Sequence, residues 1–275
     1  MVSENPYHII LAENDSYETP EGTRKSFILN PKWYFFRKLL GIVFRSASSA
    51  KKNQYSEVDW ANSSYEVIQA LEEAGVRFSI SGMNHLTASD KPVIIIGNHM
   101  STMETMVLPA VIQPVKETTF VVKEELMNFP VFKHVLATRD PIVLGRSNPR
   151  EDLKLVLTSG KEKLQNGTSI ILFPQKTRGV QFDPEHFNSL GIKLARRSEV
   201  NAIPLALVTD AWENGNLIKE YGRINPDKTV HIAFGEPISV TGSGTDEHQQ
   251  VLDFIVNQFR VWDREDCLKS SVIAP

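Results

Sequence analysis

The sequence has little of what would place it in several large classes of protein. It contains a single cysteine, Cys267, among 275 residues, which excludes an intrachain disulfide and gives no CxxC metal site. The formal net charge is only -3, which does not favour a nucleic-acid-binding protein. No apolar run approaches the roughly 20 residues that span a bilayer. These absences predict one globular domain with an appendage, in a reducing compartment.

The first 20 residues do not resemble a secretory signal. Acidic side chains such as Glu4, Glu13 and Asp15 stand where such a signal has a basic start and an apolar centre. We therefore expect no cleaved signal peptide. The composition predicts that residues 1–25 form an acidic, flexible N-terminus.

The one clear change in composition is a basic segment at residues 22–56, which has eight lysines and arginines and no acidic residue. Within it, Asn30 and Pro31 predict a helix start, as the N-cap and the first helical residue. Apolar side chains then share one broad arc of this helix; they are Trp33, Phe35, Phe36, Leu39, Leu40, Ile42, Val43 and Phe44.

A basic amphipathic helix rich in aromatics is typical of segments that lie in the headgroup layer of an anionic membrane. We therefore predict that residues 26–60 form a membrane-associating segment, in which residues 26–48 contact the membrane surface. The alternative is a helix that packs its apolar face on the domain and leaves its basic face in solvent.

Beyond this segment, strand and helix patterns alternate, which predicts an α/β domain over residues 61–265, followed by a tail at 266–275. Helices are predicted over 65–74, from Asn148 and Pro149 to Gly167, and over 246–262. The apolar run at 93–96 is typical of a strand covered on both faces. The strand candidates are residues 77–81, 93–96, 118–122, 141–144, 169–173, 202–208 and 230–234.

A histidine and a carboxylate five positions apart directly follow the 93–96 strand. At a strand-to-helix junction, His99 and Glu104 can meet. A carboxylate that accepts one ring N–H fixes the tautomer, so the other ring nitrogen can take a proton from a hydroxyl. The alternative is a capping box, in which Ser101 and Glu104 serve only the start of the helix.

Further segments follow this histidine in a fixed order: residues 142–148, which contain Arg146, then Phe173 to Arg178, then Ile203 and Pro204. Together with His99 and Glu104, they resemble the four sequence blocks of the glycerolipid acyltransferase family, of the 1-acylglycerol-3-phosphate acyltransferase type. The resemblance extends from about residue 77 to the final helix.

The resemblance implies a mixed, largely parallel central sheet flanked by helices. It also implies an O-acyltransferase of phospholipid biosynthesis, which moves a fatty acyl group from acyl-CoA or acyl-ACP to the hydroxyl of a lysophospholipid. The expected acceptor is 1-acylglycerol 3-phosphate, and the expected location is the cytoplasmic face of a membrane, peripheral or monotopic. His99, oriented by Glu104, would be the general base, and no metal or other cofactor is expected.

Arg146 and Arg178 are the residues that the resemblance assigns to the acceptor phosphate, because a guanidinium matches phosphate oxygens in a bidentate way. The remaining substrate-binding candidates are Asn98, Lys123, Gln175, Lys176 and Thr177.

The chain departs from the family pattern at three positions. Glu104 stands where the family has aspartate, Gln175 where it has glutamate, and Lys176 where it has glycine. The last two replacements each make the loop more positive by one charge, which favours an anionic acceptor. Two other functions stay open: a thioester or ester hydrolase that uses the same dyad, and an inactive lipid-binding homologue.

Overall fold

The computed structural model describes residues 6–9, 11–25, 27–128, 132–145, 148–215 and 220–269. Within these ranges, eight strands form one sheet and helices cover both of its faces. The strands are β1 (Ser16–Glu18), β2 (Arg77–Ser81), β3 (Ile94–Gly97), β4 (Thr118–Lys123), β5 (Ile142–Leu144), β6 (Ser169–Leu172), β7 (Ala202–Val208) and β8 (Thr229–Phe234). The helices are α1 (Pro31–Lys51), α2 (Glu57–Glu73), α3 (Asn84–Thr87), α4 (Met103–Ile112), α5 (Glu124–Met127), α6 (Phe132–Ala137), α7 (Pro149–Gln165), α8 (Leu190–Ser198) and α9 (Thr245–Val261).

The strand order is β1-β2-β8-β7-β3-β6-β4-β5. The pairs β1 with β2 and β7 with β8 are antiparallel, and the other neighbouring pairs with a recorded register are parallel. This confirms the predicted α/β fold with a mixed, largely parallel sheet. Because β3, β4, β6 and β7 run in one direction, their carboxyl ends lie at the same edge of the sheet.

The central strand β3 is buried on both faces, as its continuous apolar sequence predicts. Ile95 packs in a core with side chains of α1, α2 and α4, whereas Ile94 and Ile96 pack in a second core with side chains of α7, α8 and α9. Successive side chains of a strand point to opposite faces, so one short run supplies both cores and fixes the position of its carboxyl end.

Helix α1 begins as predicted. Asn30 caps it by accepting the backbone N–H of Trp33 at 3.0 Å, and Pro31 is its first residue. Its apolar arc, however, is divided. Phe35, Phe36, Leu39 and Ile42 are buried against the domain, while Trp33, Leu40 and Phe44 are exposed by 70%, 50% and 59%. The packing alternative is therefore correct for one half of the arc, and the other half stays uncovered.

The basic face of α1 differs from both interpretations, because two of its cations, Lys38 and Arg45, pair with Glu73 and Glu66 of α2. Glu73 also accepts hydrogen bonds from the Tyr34 hydroxyl and from Lys25, which precedes the helix. No helix in the described part of the chain combines the length and the hydropathy needed to cross a bilayer.

Two local predictions need correction. In the segment predicted as flexible, β1 pairs with β2 and the Tyr17 hydroxyl donates to Glu72 at 2.8 Å; three residues are too few to show a strand pattern. Helix α2 begins at Glu57 rather than at residue 65, because Ser56 and Asp59 form a capping box. The division into domains stays a prediction.

Candidate active site

Three segments meet at the carboxyl edge of the sheet because the strands before them are parallel neighbours. His99 follows β3, Phe173 to Arg178 follow β6, and Thr209 follows β7. In open α/β sheets this edge is where ligands bind. The topology therefore brings together the first and third sequence blocks, which are more than 70 residues apart in the chain.

The predicted dyad is present. Nδ1 of His99 lies 3.1 Å from Oε2 of Glu104; the Glu104 side chain is fully buried, and the His99 side chain is 21% exposed. With Nδ1 engaged by the carboxylate, Nε2 is the ring nitrogen left for a substrate proton.

Glu104 also has a local role at the start of α4. Its carboxylate accepts the backbone N–H groups of Met100 at 3.0 Å and Ser101 at 2.9 Å, as well as the Thr209 hydroxyl. The Ser101 hydroxyl does not complete the capping box; it contacts Thr209 at 3.1 Å instead. A buried carboxylate needs such donors, and the N-terminus of a helix further favours its negative charge. The two interpretations of Glu104 are thus compatible.

The third block holds the backbone of His99 on both sides. The His99 N–H donates to Oε1 of Gln175 at 2.5 Å, and the N–H of Gly179 donates to the His99 carbonyl at 3.0 Å. The ring of Phe173 stacks on the imidazole, with centroids 4.6 Å apart and an interplanar angle of 9°. The imidazole is therefore fixed through its backbone, its ring face and Nδ1.

The contact of Gln175 bears on one departure from the family pattern. Its side-chain carbonyl accepts a backbone N–H, which an amide oxygen can do as a carboxylate can. In this structure Gln175 thus supports His99. The replacement removes a charge without removing this acceptor.

Arg178 reaches the same site. One guanidinium nitrogen donates to the Thr102 hydroxyl at 2.7 Å and another pairs with Glu220. The Arg178 side chain is only 15% exposed. The structure thus places a cation beside the dyad, as the sequence predicted.

The other predicted substrate-binding residues are placed differently. Asn98 is buried, and its amide group exchanges two hydrogen bonds of 2.8 Å with the backbone of Leu207, so it joins the loop to β7 and does not line the cavity described below. Lys176 and Thr177 are exposed, and Lys123 is the last residue of β4. Arg146 lies outside the described residues.

Next to His99 is a cavity that, together with the open space at its mouth, has a volume of about 1050 Å³. Apolar side chains form most of its wall, among them Ile42 and Val43 of α1, Trp60 of α2 and Phe120 of β4. Tyr55 also lines it, and burial raises the pKa of this phenol. Such a wall suits a hydrocarbon chain.

Four residues of the site were missed by the sequence analysis or interpreted as structural. Thr209, Thr102 and Glu220 have no recognisable motif, and Phe173 was interpreted only as the end of a strand and the start of the third block. Thr209 could have been found from its position directly after β7, beside β3.

In the described part of the chain, no group of three or more histidine, cysteine, aspartate or glutamate side chains could hold a metal ion.

The structure is thus an α/β domain in which a histidine–carboxylate pair lies beside an apolar cavity and a largely buried arginine. Residues 77–208 match the family model described as Acyltransferase. This part of the chain is an acyltransferase domain of the glycerolipid acyltransferase family, as its four sequence blocks predicted.

Individual relatives support this membership. The chain is 29% identical over 172 residues, 62% of its length, to a 1-acyl-sn-glycerol-3-phosphate acyltransferase of Pseudomonas aeruginosa. It is 28% identical over 171 residues, 58% of its length, to a probable enzyme of the same name from Mycoplasma genitalium. The matches span 63% of each relative. The crystal structure of the 1-acyl-sn-glycerophosphate (LPA) acyltransferase from Thermotoga maritima shares the fold, with a TM-score of 0.61, 18% identity, and coverage of 85% of this chain and 95% of that one.

Proposed function

We propose that this protein transfers a fatty acyl group from acyl-CoA or acyl-ACP to the hydroxyl of a lysophospholipid, with 1-acylglycerol 3-phosphate as the acceptor, in phospholipid biosynthesis. The observation that carries the proposal is the 3.1 Å contact between His99 and the buried Glu104, beside both Arg178 and an apolar cavity. The relatives from Pseudomonas aeruginosa and Mycoplasma genitalium are named for the same reaction type.

In this mechanism the acceptor hydroxyl donates to Nε2 of His99. As its oxygen attacks the thioester carbonyl, the proton moves to Nε2, and the imidazolium is stabilised by Glu104. Collapse of the tetrahedral intermediate breaks the C–S bond. The thiolate leaves with the proton from Nε2, so the dyad returns to its starting state. No acyl-enzyme is needed.

The residues that line the site indicate where the acyl chain and the acceptor phosphate bind. The apolar cavity takes a fatty acyl chain, because burial of each methylene contributes about 0.8 kcal/mol. Arg178 binds the acceptor phosphate, with the fork geometry that phosphate oxygens match. Arg146 stays a second candidate for this role on the basis of the family resemblance alone.

We place the protein at the cytoplasmic face of a membrane; the exposed half of α1 supports the contact with a membrane, and the face follows from the family resemblance alone. Trp33, Leu40 and Phe44 lie on its outer side, and Phe27 and Leu29 just before it are exposed by 73% and 97%. Aromatic and aliphatic side chains of this kind enter the boundary between headgroups and acyl chains. The headgroup layer of a bilayer is the one partner that we propose for this surface.

The test is an acceptor panel with a labelled acyl-CoA or acyl-ACP, read by mass spectrometry of the products. We expect diacylated phosphatidate from 1-acylglycerol 3-phosphate, and its loss in His99→Ala. His85→Ala is the matched control, because His85 follows β2 at the opposite edge of the sheet. Free fatty acid released with or without an acceptor would instead establish a hydrolase, and absence of both products would contradict catalysis.

A further inference from the structure

One ion pair stands inside the substrate site. The guanidinium of Arg178 contacts the Thr102 hydroxyl with one nitrogen and the Glu220 carboxylate with another. All three residues line the cavity together with His99. Among the described residues of the cavity wall, Arg178 is the one lysine or arginine and Glu220 is the one aspartate or glutamate. The cation that would bind a phosphate is therefore already in contact with an anion.

The backbone of Glu220 is anchored, whereas its side chain is 32% exposed. The Trp212 indole N–H donates to the Glu220 carbonyl at 3.1 Å, and Trp212 is itself buried edge-on against Phe35, with centroids 4.9 Å apart. The ring of the next residue, Tyr221, lies 4.0 Å from the ring of Phe36. Rotation about the side-chain bonds of Glu220 can thus open the pair without any movement of the backbone.

We propose that the Glu220 carboxylate occupies the anion position of Arg178 until the phosphate of the acceptor displaces it, and thereby sets the affinity of the site for phosphate-bearing acceptors. This inference rests on the proposed function. Carboxylate and phosphate offer the same kind of oxygen acceptor to a guanidinium, so the two compete for one position.

The competition weakens the binding of every phosphate acceptor by the same factor, because opening the ion pair costs the same free energy whichever phosphate replaces the carboxylate. A phosphate monoester carries about -1.5 to -2 charges at neutral pH, whereas a phosphodiester such as that of lysophosphatidylcholine carries one, so the monoester binds Arg178 more tightly with or without Glu220. Removing the carboxylate therefore lowers the Kd of both acceptors by the same factor.

The test measures binding without turnover. In the His99→Ala protein and without an acyl donor, the Kd is determined by calorimetry for hexanoyl lysophosphatidic acid and for hexanoyl lysophosphatidylcholine, both below their micelle concentrations. Glu220→Gln is then added. We expect the Kd for lysophosphatidic acid to fall by about two- to fivefold, the range for a partly exposed ion pair, and the Kd for lysophosphatidylcholine to fall by the same factor.

The matched control is Glu236→Gln, which removes the same charge from an exposed residue just after β8, at the opposite edge of the sheet. An unchanged or higher Kd for lysophosphatidic acid in Glu220→Gln overturns the inference, as does an equal fall in the control. Loss of lysophosphatidylcholine binding would also overturn it and show that Glu220 binds the choline ammonium. Transfer by the wild-type protein tests the proposed function separately, because neither Kd depends on turnover.

Discussion

The loop around His99 and helix α1 differ in what is satisfied inside the protein. In the loop, the buried carboxylate has its hydrogen-bond donors within the fold, whereas α1 leaves apolar side chains exposed. Around His99, the buried carboxylate is matched within the protein: Glu104 has His99, two backbone N–H groups and Thr209 as donors. On α1, Lys38 and Arg45 pair with α2, but Trp33 and Phe44 are left without cover. A site for chemistry requires a fixed base, whereas a surface for lipid requires exposed apolar groups. The following experiments test this contrast, in order of decreasing expected effect.

The largest expected effect comes from the dyad. Glu104→Gln places an amide N–H₂ next to groups that are themselves hydrogen-bond donors. The imidazole therefore loses the acceptor that orients it and the negative charge that stabilises its protonated form. We expect kcat to fall by about 10²- to 10⁴-fold, the usual range for general-base catalysis, in an acyl-transfer assay. Circular dichroism monitors folding, and Thr209→Val, which removes one neutral donor to Glu104 and the contact with the Ser101 hydroxyl, is the milder companion variant. A folded Glu104→Gln protein within threefold of wild-type kcat would reduce Glu104 to a helix-capping residue.

The next effect concerns the outer side of α1. Phe44→Ser removes an exposed aromatic ring, whose burial in lipid contributes about 1.5–3 kcal/mol, so binding to vesicles that contain anionic lipid should weaken by about tenfold or more in a sedimentation assay. Val261→Ser, a change at a 74% exposed residue that ends α9, is the control. Equal vesicle binding by Phe44→Ser and wild type would contradict the membrane role of this surface.

A smaller effect is expected from the ring that supports the imidazole. Phe173→Leu keeps an apolar side chain but removes the stacking contact with His99. Aromatic pairs contribute about 0.5–1.5 kcal/mol beyond burial, so we expect kcat to fall by about two- to tenfold with the acceptor KM unchanged. A change in KM alone would show that Phe173 contacts the substrate rather than the base.

The smallest effect concerns the attachment of α1. Burial alone would raise the pKa of Glu73, but hydrogen bonds from Lys25, Lys38 and Tyr34 bring it to about 2, below the ordinary 4.5. A lowered pKa in the folded state stabilises the protein above pH 4.5, and this contribution is lost as the pH falls towards 2.

Urea unfolding at pH 5.5 and pH 3 measures this contribution. Wild type should lose about 1 kcal/mol more than Glu73→Gln over this interval. Glu66→Gln, at the more exposed pair with Arg45, is the control, and it should behave like wild type. Equal losses in wild type and Glu73→Gln would show that the Glu73 cluster adds nothing to the stability of the fold.

The sequence predicted those features that depend on neighbours in the chain. The apolar run of β3, the cap of α1 at Asn30 and the placement of His99 beside Glu104 follow from local patterns, and the structure has all three. The sequence did not predict contacts that depend on tertiary packing. Thr209 joins the dyad only because β7 lies beside β3, and Glu220 reaches Arg178 from another loop.

The packing of helix α1 likewise could not be predicted from its own sequence. Helical periodicity showed that its apolar arc was broad, but not which half of the arc α2 and the loop at Trp212 would cover. Likewise, the basic composition of residues 22–56 could not show that Glu66 and Glu73 lie within reach of those cations, because the acidic partners belong to a different helix.

Helix α1 lies between the cavity and the surface that we assign to the membrane. Its inner side, at Ile42 and Val43, is part of the cavity wall, while its outer side carries the side chains that we assign to the bilayer. The thickness of a single helix, about 10 Å, therefore separates the hydrocarbon of the membrane from the hydrocarbon binding site. A fatty chain that travels between them would stay almost entirely out of water, so product release would be a sideways step into the leaflet.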